Sequence, residues 1–334
     1  MDFFTHIVLS VTIARLVLKD KTKQRAFVLG GLAIDFDVIL AWLPGLIPEL
    51  FLLNHRGIFH TIFFSSIAVA VIILASQHLN RVIRFDRMQH FLQRIQTDLT
   101  RSTLALGVLG SYLHMLMDVI TPPGLIFLYP LSTQRFSTDT IFFLDPIITL
   151  MSISFVFWFV FQEIYKLKPL SLVRIDKVTR VISVSFVMIL AVYGSLQLYT
   201  INTHHPVSTQ PGPLPFYRWM LDEQNESYSI KLVNQFTQQI EQTFSYPFLT
   251  WNQSNWNAST IQLVLKQTRQ LPEYQNYIFR LDPAVHVVYN VSFNTVENAW
   301  EVRILDIYRD AQSKVFGLAS APFFNPEIIL FVNI

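Results

Sequence analysis

The 334-residue chain contains no cysteine, which excludes disulfides, thiolate nucleophiles and thiolate-held metals. Any bound metal must therefore rest on imidazole and carboxylate. Charge is scarce as well: 14% of residues are Asp, Glu, Lys or Arg against 51% apolar, and mean hydropathy is +0.38. That balance is too apolar for a soluble chain of this length and marks an integral membrane protein whose partner is the lipid bilayer. The net charge of +2 is small and the basic residues stand in short clusters without interleaved aromatics, which removes nucleic acid from the expected partners. Internal repeats and low-complexity tracts are lacking too. The opening MDFFTHIVLS has neither the basic n-region nor the small-residue cleavage site of a removable signal, so this apolar stretch is expected to stay in the mature protein.

What is present is a series of apolar runs at residues 5–18, 26–47, 58–79, 102–121, 141–161 and 181–201, to be set against the roughly 20 residues a bilayer requires. They predict about six transmembrane helices, the first one short. Lys19, Lys21, Lys23 and Arg25 follow the first run; Arg81, Arg84, Arg87, Arg94 and Arg101 follow the third; Lys166, Lys168, Arg174, Lys177 and Arg180 follow the fifth. The second and fourth loops hold only Arg56 and Arg135 as basic residues. Positive loops face the cytoplasm, so the amino terminus, the second and fourth loops and everything after residue 201 are expected outside.

The expected fold class is an α-helical membrane bundle followed by a C-terminal soluble α+β or β-rich extracytoplasmic domain. Its predicted parts are a polytopic domain at 1–201, a Pro-rich linker at 202–215 and a soluble domain, α+β or β-sandwich, at 216–334. VHVVYNVSF and WEVRILDIY alternate apolar and polar residues and read as half-buried strands; STIQLVLKQT reads as a third strand, and YSIKLVNQFTQQIEQTF as an amphipathic helix. Four N-x-S sequons, at Asn225, Asn252, Asn257 and Asn290, fit an external location. The 29 Phe suit lipid-facing and interfacial surface and point to no cofactor box.

Against this apolar background, His6, Asp35, Asp37, His55, His60, His114 and Asp118 recur near one end of four hydrophobic segments. With the loop charges setting orientation, His6, His55, His60, His114 and Asp118 fall at the external ends of their helices. Asp35 and Asp37 fall midway along the second, where a helix break can line a cavity. His114 and Asp118 are four apart and share a helical face, as a metal clamp requires. His55 and His60 can converge from a loop that Gly57 allows to turn. Imidazole and carboxylate without sulfur suit one or two divalent ions, Zn first, with Mn, Fe or Ni as alternatives. Asp145, opening the fifth helix on the same side, and Asp37 are candidate general bases. Arg56 is a candidate for stabilising substrate charge, or a partner for Asp145. His78, His90, His204, His205 and His286 read as solvated or structural. The same buried charges also suit a metal-ion or proton-coupled transporter, although that reading expects charges across the whole bilayer depth. A third reading makes the bundle the anchor of an external binding domain, with a structural metal.

The motifs are together similar to those of the YdjM-type family of membrane-bound, metal-dependent hydrolases, over about residues 1–165. They are Thr5 with His6; the IDFD element with Asp35 and Asp37; the HRGIFHT block with His55, Arg56, Gly57, His60 and Thr61; and HMLMD with His114 and Asp118. Thr121, Pro122, Gly124, Tyr129 and Pro130 follow, then Asp145 with Pro146. Ile34 stands where that family usually has proline, which puts the helix break before Asp35 in question. The resemblance implies a metal-dependent hydrolase and lends no substrate; the step expected of these residues is attack of metal-activated water on an ester or phosphoester. The external position of the site suggests a lipid or lipid-linked substrate.

Overall fold

A computed structural model describes residues 1–82, 96–164, 172–251, 256–279, 281, 286–316 and 327–333. Arg84, Arg87, His90, Arg94, Lys166, Lys168 and the sequon residue Asn252 lie outside the described residues. The chain forms two compact bodies, one of Met1–Ala41 with Leu53–Gly194, the other of Trp42–Leu52 with Ser195–Ile334.

The first body is helical: α1 (Phe3–Val17), α2 (Lys21–Ala33), α4 (Ile62–Val82), α5 (Arg101–Val119), α6 (Pro146–Ile164) and most of α7 (Leu172–His204). The short α3 (Leu43–Leu46) belongs to the second body. Among the described residues, four stretches are long and apolar enough to cross a membrane: Lys21–Leu46, Ile62–Leu79, Arg101–Val119 and Arg180–His204. Phe3–Val17 and Pro146–Phe157 are apolar but shorter. Helix starts are fixed by side chains that accept the otherwise orphaned first-turn N–H groups. Asp2 accepts from Thr5, Asp20 accepts from Lys23, and Thr100 and Thr103 form a reciprocal capping box.

Helices α2 and α5 cross with almost no side chain between them. A Cβ on Gly30 would stand 1.9 Å from the Gly107 carbonyl oxygen, and one on Gly110 would stand 2.0 Å from that of Phe27. Glycine at these positions lets two backbones touch, the close packing that small residues permit between helices in lipid.

The second body carries two four-stranded sheets. The first is an antiparallel meander of β1 (Ser208–Pro211), β2 (Tyr217–Gln224), β3 (Ser227–Asn234) and β4 (Ile240–Pro247). The second has the order β5 (Leu249–Trp251), β6 (Val287–Asn294), β7 (Ala299–Asp306), β8 (Glu327–Val332); only β5 and β6 pair parallel. Helix α10 (Ile307–Phe316) gives Ile307, Tyr308 and Ala311 to a core with Trp219, Leu221, Ile230 and Leu232, whereas α8 (Ala258–Thr268) packs Ile261, Val264 and Leu265 on Val291, Trp300, Val302 and Leu330. Helix α9 is Pro272–Phe279. This is an α+β arrangement.

The two alternating stretches are strands, as the pattern predicts: they are β6 and β7. Two other expectations exchange places. STIQLVLKQT is the helix α8, because its buried residues are Ile261, Val264, Leu265 and Thr268, one face at helical spacing, and Asn257 caps its start by accepting from the Thr260 N–H at 2.9 Å. Leu263, which completes an apparent alternation, points outward. YSIKLVNQFTQQIEQTF is the hairpin β3–β4; Ile230, Val233, Phe236, Ile240 and Phe244 mimic a helical stripe, but the chain turns at Phe236 to Gln239 between two strands. The stretch read as a linker holds the end of α7 and all of β1. His286 places its ring edge-on against Tyr228 at 4.9 Å.

Candidate metal centre

Four parts of the first body supply the predicted ligands. Helix α1 carries His6 and α5 carries His114 and Asp118. After Ala33 the α-helix tightens into a 3-10 turn, Ile34–Ile39, that presents Asp35 and Asp37. The break before Asp35 therefore occurs with isoleucine at position 34. The loop after Leu53 brings His55, Arg56 and a single 3-10 turn, Ile58–His60, with Gly57 at its start.

All seven side chains come together. Two groups have ligand atoms within 4.8 Å of one another: Asp35, Asp37, His55 and His60, and His6, His114 and Asp118. They are not separate. Asp35 Oδ1 lies 3.6 Å from His60 Nε2 and 3.2 Å from His114 Nε2, while Asp118 Oδ2 lies 3.5 Å and 3.3 Å from the same two nitrogens. Four ligands placed tetrahedrally at Zn–N and Zn–O lengths stand about 3.3 Å from one another, so these separations suit one divalent ion.

The orientations agree with the distances. His60 Nε2, His114 Nε2 and Asp118 Oδ2 are buried and make no hydrogen bond; each faces its neighbours without being aimed at them. His114 Nδ1 lies 2.6 Å from the Gly31 carbonyl oxygen. A carbonyl only accepts, so Nδ1 carries a proton, and Nε2 is the ring atom that faces two carboxylates and can ligate a metal in the neutral ring. Acceptors facing buried acceptors repel unless a cation stands among them. His6 stacks flat on His114, with ring centres 3.5 Å apart, and meets Asp118 at 3.2 Å.

Asp37 sits beside this set. One of its oxygens accepts from His55 Nδ1 at 2.9 Å; the other lies 2.9 Å from His60 Nδ1 and accepts from the Arg56 backbone N–H. The His60 approach is close but fails hydrogen-bond alignment, so we read it as an electrostatic hold on the ring. His55 is the open edge of the site, its side chain 39% exposed where His60 and His114 are fully buried.

Arg56 does not pair with Asp145. It adopts the left-handed φ of 64°, which costs a non-glycine residue about 1–3 kcal/mol, and its guanidinium reaches Asp118 at 2.9 Å. Its other amino group donates to Thr121 Oγ1 and to the carbonyls of Thr121 and Pro122. Asp118 also meets the Met1 nitrogen. Arg56 is thus spent on holding Asp118 and the loop after α5, and Gly124 in that loop, at φ 66°, lies where a Cβ would strike the Phe136 carbonyl. Pattern reading missed two parts of this arrangement. Thr121 was visible only as a motif residue, and the Gly31 carbonyl has no sequence signal beyond the paired glycines before Asp35.

Asp145 stands apart from the cluster. Its carboxylate accepts from the Ile147 and Ile148 N–H groups, capping α6, and from the Tyr193 hydroxyl of α7. Asp145→Asn, which keeps an acceptor at the cap, is expected to leave metal content unchanged. Asp145→Ala is expected to cost about 0.5–2 kcal/mol of thermal stability. Elemental analysis and melting of the detergent-purified variants check both; loss of metal in the Asn variant would return Asp145 to the site.

Residues 1–202 match the family model described as YdjM inner membrane protein. No curated protein and no solved structure matches the chain. The match spans more than half of the sequence, and the chain belongs to this family of membrane proteins.

Proposed function

We propose that this member of the YdjM inner membrane protein family is a metal-dependent hydrolase, cleaving an ester or phosphoester, of a lipid or lipid-linked molecule, at the external face of the membrane. The observation that carries the proposal is the convergence of Asp35 Oδ1, His60 Nε2, His114 Nε2 and Asp118 Oδ2, the last three buried without a hydrogen bond, at separations that suit one divalent ion. A divalent ion bound there, Zn first by its donor set, supplies a Lewis acid that lowers the pKa of water and polarises a substrate oxygen. The residues around it divide the remaining work. Gly31 and Asp37 orient His114 and His60; Arg56 fixes Asp118. His55, its Nδ1 proton given to Asp37, keeps Nε2 as a proton acceptor at the open edge, so the pair is the general base. With two ions, His55 and Asp37 would instead join His60 as ligands of the second.

The external location rests on the alternation of basic loops together with one feature of the fold. Trp42–Leu52, the end of the second apolar run and the start of the second loop, lies in the same body as the residues after Ser195, which favours one side of the membrane for both. The six-span topology adds Phe3–Val17 and a helix beginning at Pro146 to the four longer spans.

The purified protein is expected to hydrolyse a generic phosphoester or carboxyl-ester lipid, to lose that activity on chelation, and to regain it with Zn or Mn. A preparation that holds metal yet hydrolyses neither class, while carrying divalent ions into sealed vesicles, would make the protein a transporter.

A further inference from the structure

The last turns of α7, from Ser195 onward, fold in one compact body with the first sheet. The apolar span that ends there, Arg180–His204, has 25 residues; at 1.5 Å per residue it is about 37 Å long, against about 30 Å of hydrocarbon. Its ends therefore reach into the headgroup layer. Thr200 comes four residues before the end of the span, about 6 Å along the axis, and so stands close to the boundary between headgroups and hydrocarbon. Tyr199 beside it is exposed, and tyrosine is the residue that gathers at this level of a membrane helix.

Thr200 itself is covered. It is fully buried, and its Oγ1 accepts from Gln238 Nε2 at 3.3 Å. Gln238 lies in the turn between β3 and β4, so the tip of this hairpin meets α7 at the boundary level. A second turn joins it there: the Gln235 N–H donates to the Phe216 carbonyl oxygen at 2.8 Å, and the Phe216 and Phe236 rings lie 4.7 Å apart. Around this junction Leu214, Phe236 and Ile240 are 46%, 59% and 47% exposed. Residues 206–217 and 234–240 contain no Asp, Glu, Lys or Arg. An exposed apolar patch marks a contact with membrane or protein, and this one is pinned to a transmembrane helix where lipid begins.

We infer that the β3–β4 turn, with Leu214 and Phe216 of the neighbouring turn, enters the headgroup and upper acyl layer of the bilayer beside α7. The partner is lipid, met by aliphatic and aromatic side chains that exchange water for an apolar surrounding. With no Lys or Arg in either turn, the contact is indifferent to lipid charge. The first sheet is thereby held to the membrane at two points, through the covalent run of α7 and through this tip. Neither point involves the metal centre, so this contact and the hydrolase reading stand or fall separately.

The cysteine-free chain allows a single cysteine to be introduced and labelled with an environment-sensitive fluorophore. The test uses the full chain at high dilution in phosphatidylcholine vesicles, as Phe236→Cys, Leu214→Cys and, for comparison, Glu226→Cys. Glu226 is exposed in the turn at the other end of β3, a strand of eight residues and so about 27 Å long. Labels at 236 and 214 are expected to emit at shorter wavelength than the label at 226. They should also be quenched more strongly than it by lipids that carry a nitroxide near the headgroup, and adding phosphatidylglycerol should change neither result. Equal quenching at 226 and 236, or none at both 236 and 214, would overturn the proposal. A label at 236 that is shifted but unquenched, and that crosslinks to a second copy, would overturn it in favour of a contact between chains. Phe236 and Leu214 are both exposed, so neither substitution removes core packing, and each variant decides without the other.

Discussion

Replacing His114 and Asp118 together by alanine is expected to strip the protein of metal while leaving it folded. These residues contribute Nε2 and Oδ2 to the four-atom set: His114 faces Asp35, Asp118 faces His60, and the two face each other. Their loss removes two of four ligands from one ion. Losing a single outer-shell partner typically weakens a site about 10–100-fold, so the double variant should fall well beyond a hundredfold and retain almost no metal through purification. Wild type is expected to hold one equivalent, and two equivalents would place a second ion on Asp37, His55 and His60. Folding should survive because the close α2–α5 crossing at Gly30, Gly107 and Gly110 is untouched by the exchange. Arg56 then loses its carboxylate but keeps three oxygen acceptors on Thr121 and Pro122. Elemental analysis together with size-exclusion behaviour in detergent decides the matter: unchanged occupancy in a monodisperse variant would reject the ligand set.

Gly30→Ala, a change of one methyl group whose nearest atoms are those of Gly107, is expected to be nearly as damaging. The added Cβ would stand 1.9 Å from a backbone oxygen of Gly107, where ordinary contact begins at 3.4 Å. A carbonyl in the middle of a helix cannot rotate away, so α2 and α5 must separate. Overpacking costs about 1–3 kcal/mol when side chains can yield; with backbone against backbone the cost should reach or pass the upper end. The neighbouring Gly31 carbonyl moves with α2 and withdraws from His114, whose tautomer it sets, so metal affinity should fall along with the melting temperature. Gly194→Ala is the control, because a Cβ there meets nothing within 4 Å. A Gly30→Ala protein with wild-type melting and metal content would show that the two helices do not need this closeness.

The sequence alone pointed to the class of molecule and to the side chains that gather in one cluster. Scarce charge, absent cysteine and long apolar runs force a membrane location, and in such a chain each buried His or Asp is conspicuous because burying it is costly. That is why all seven predicted ligands lie in one cluster. The break before Asp35 forms without proline because the carboxylates, two residues apart in a 3-10 winding, find their partners there.

The sequence could not assign roles within the cluster, because roles depend on which atom faces which, across residues far apart in the chain. Asp145 and Arg56 look alike as charged residues near a metal site. Only packing separates them, one as a helix cap bonded to Tyr193 and the other as the clamp on Asp118. In the C-terminal body, the period of the apolar residues in β3–β4 and α8 misled because periodicity reports burial and not backbone conformation. In β2, Arg218 to Leu221 are buried on both faces, so no period marks that strand at all. Composition and periodicity are local properties, and they fixed what must be buried. Partner identity is a property of three-dimensional contact, and the tertiary structure alone decided it.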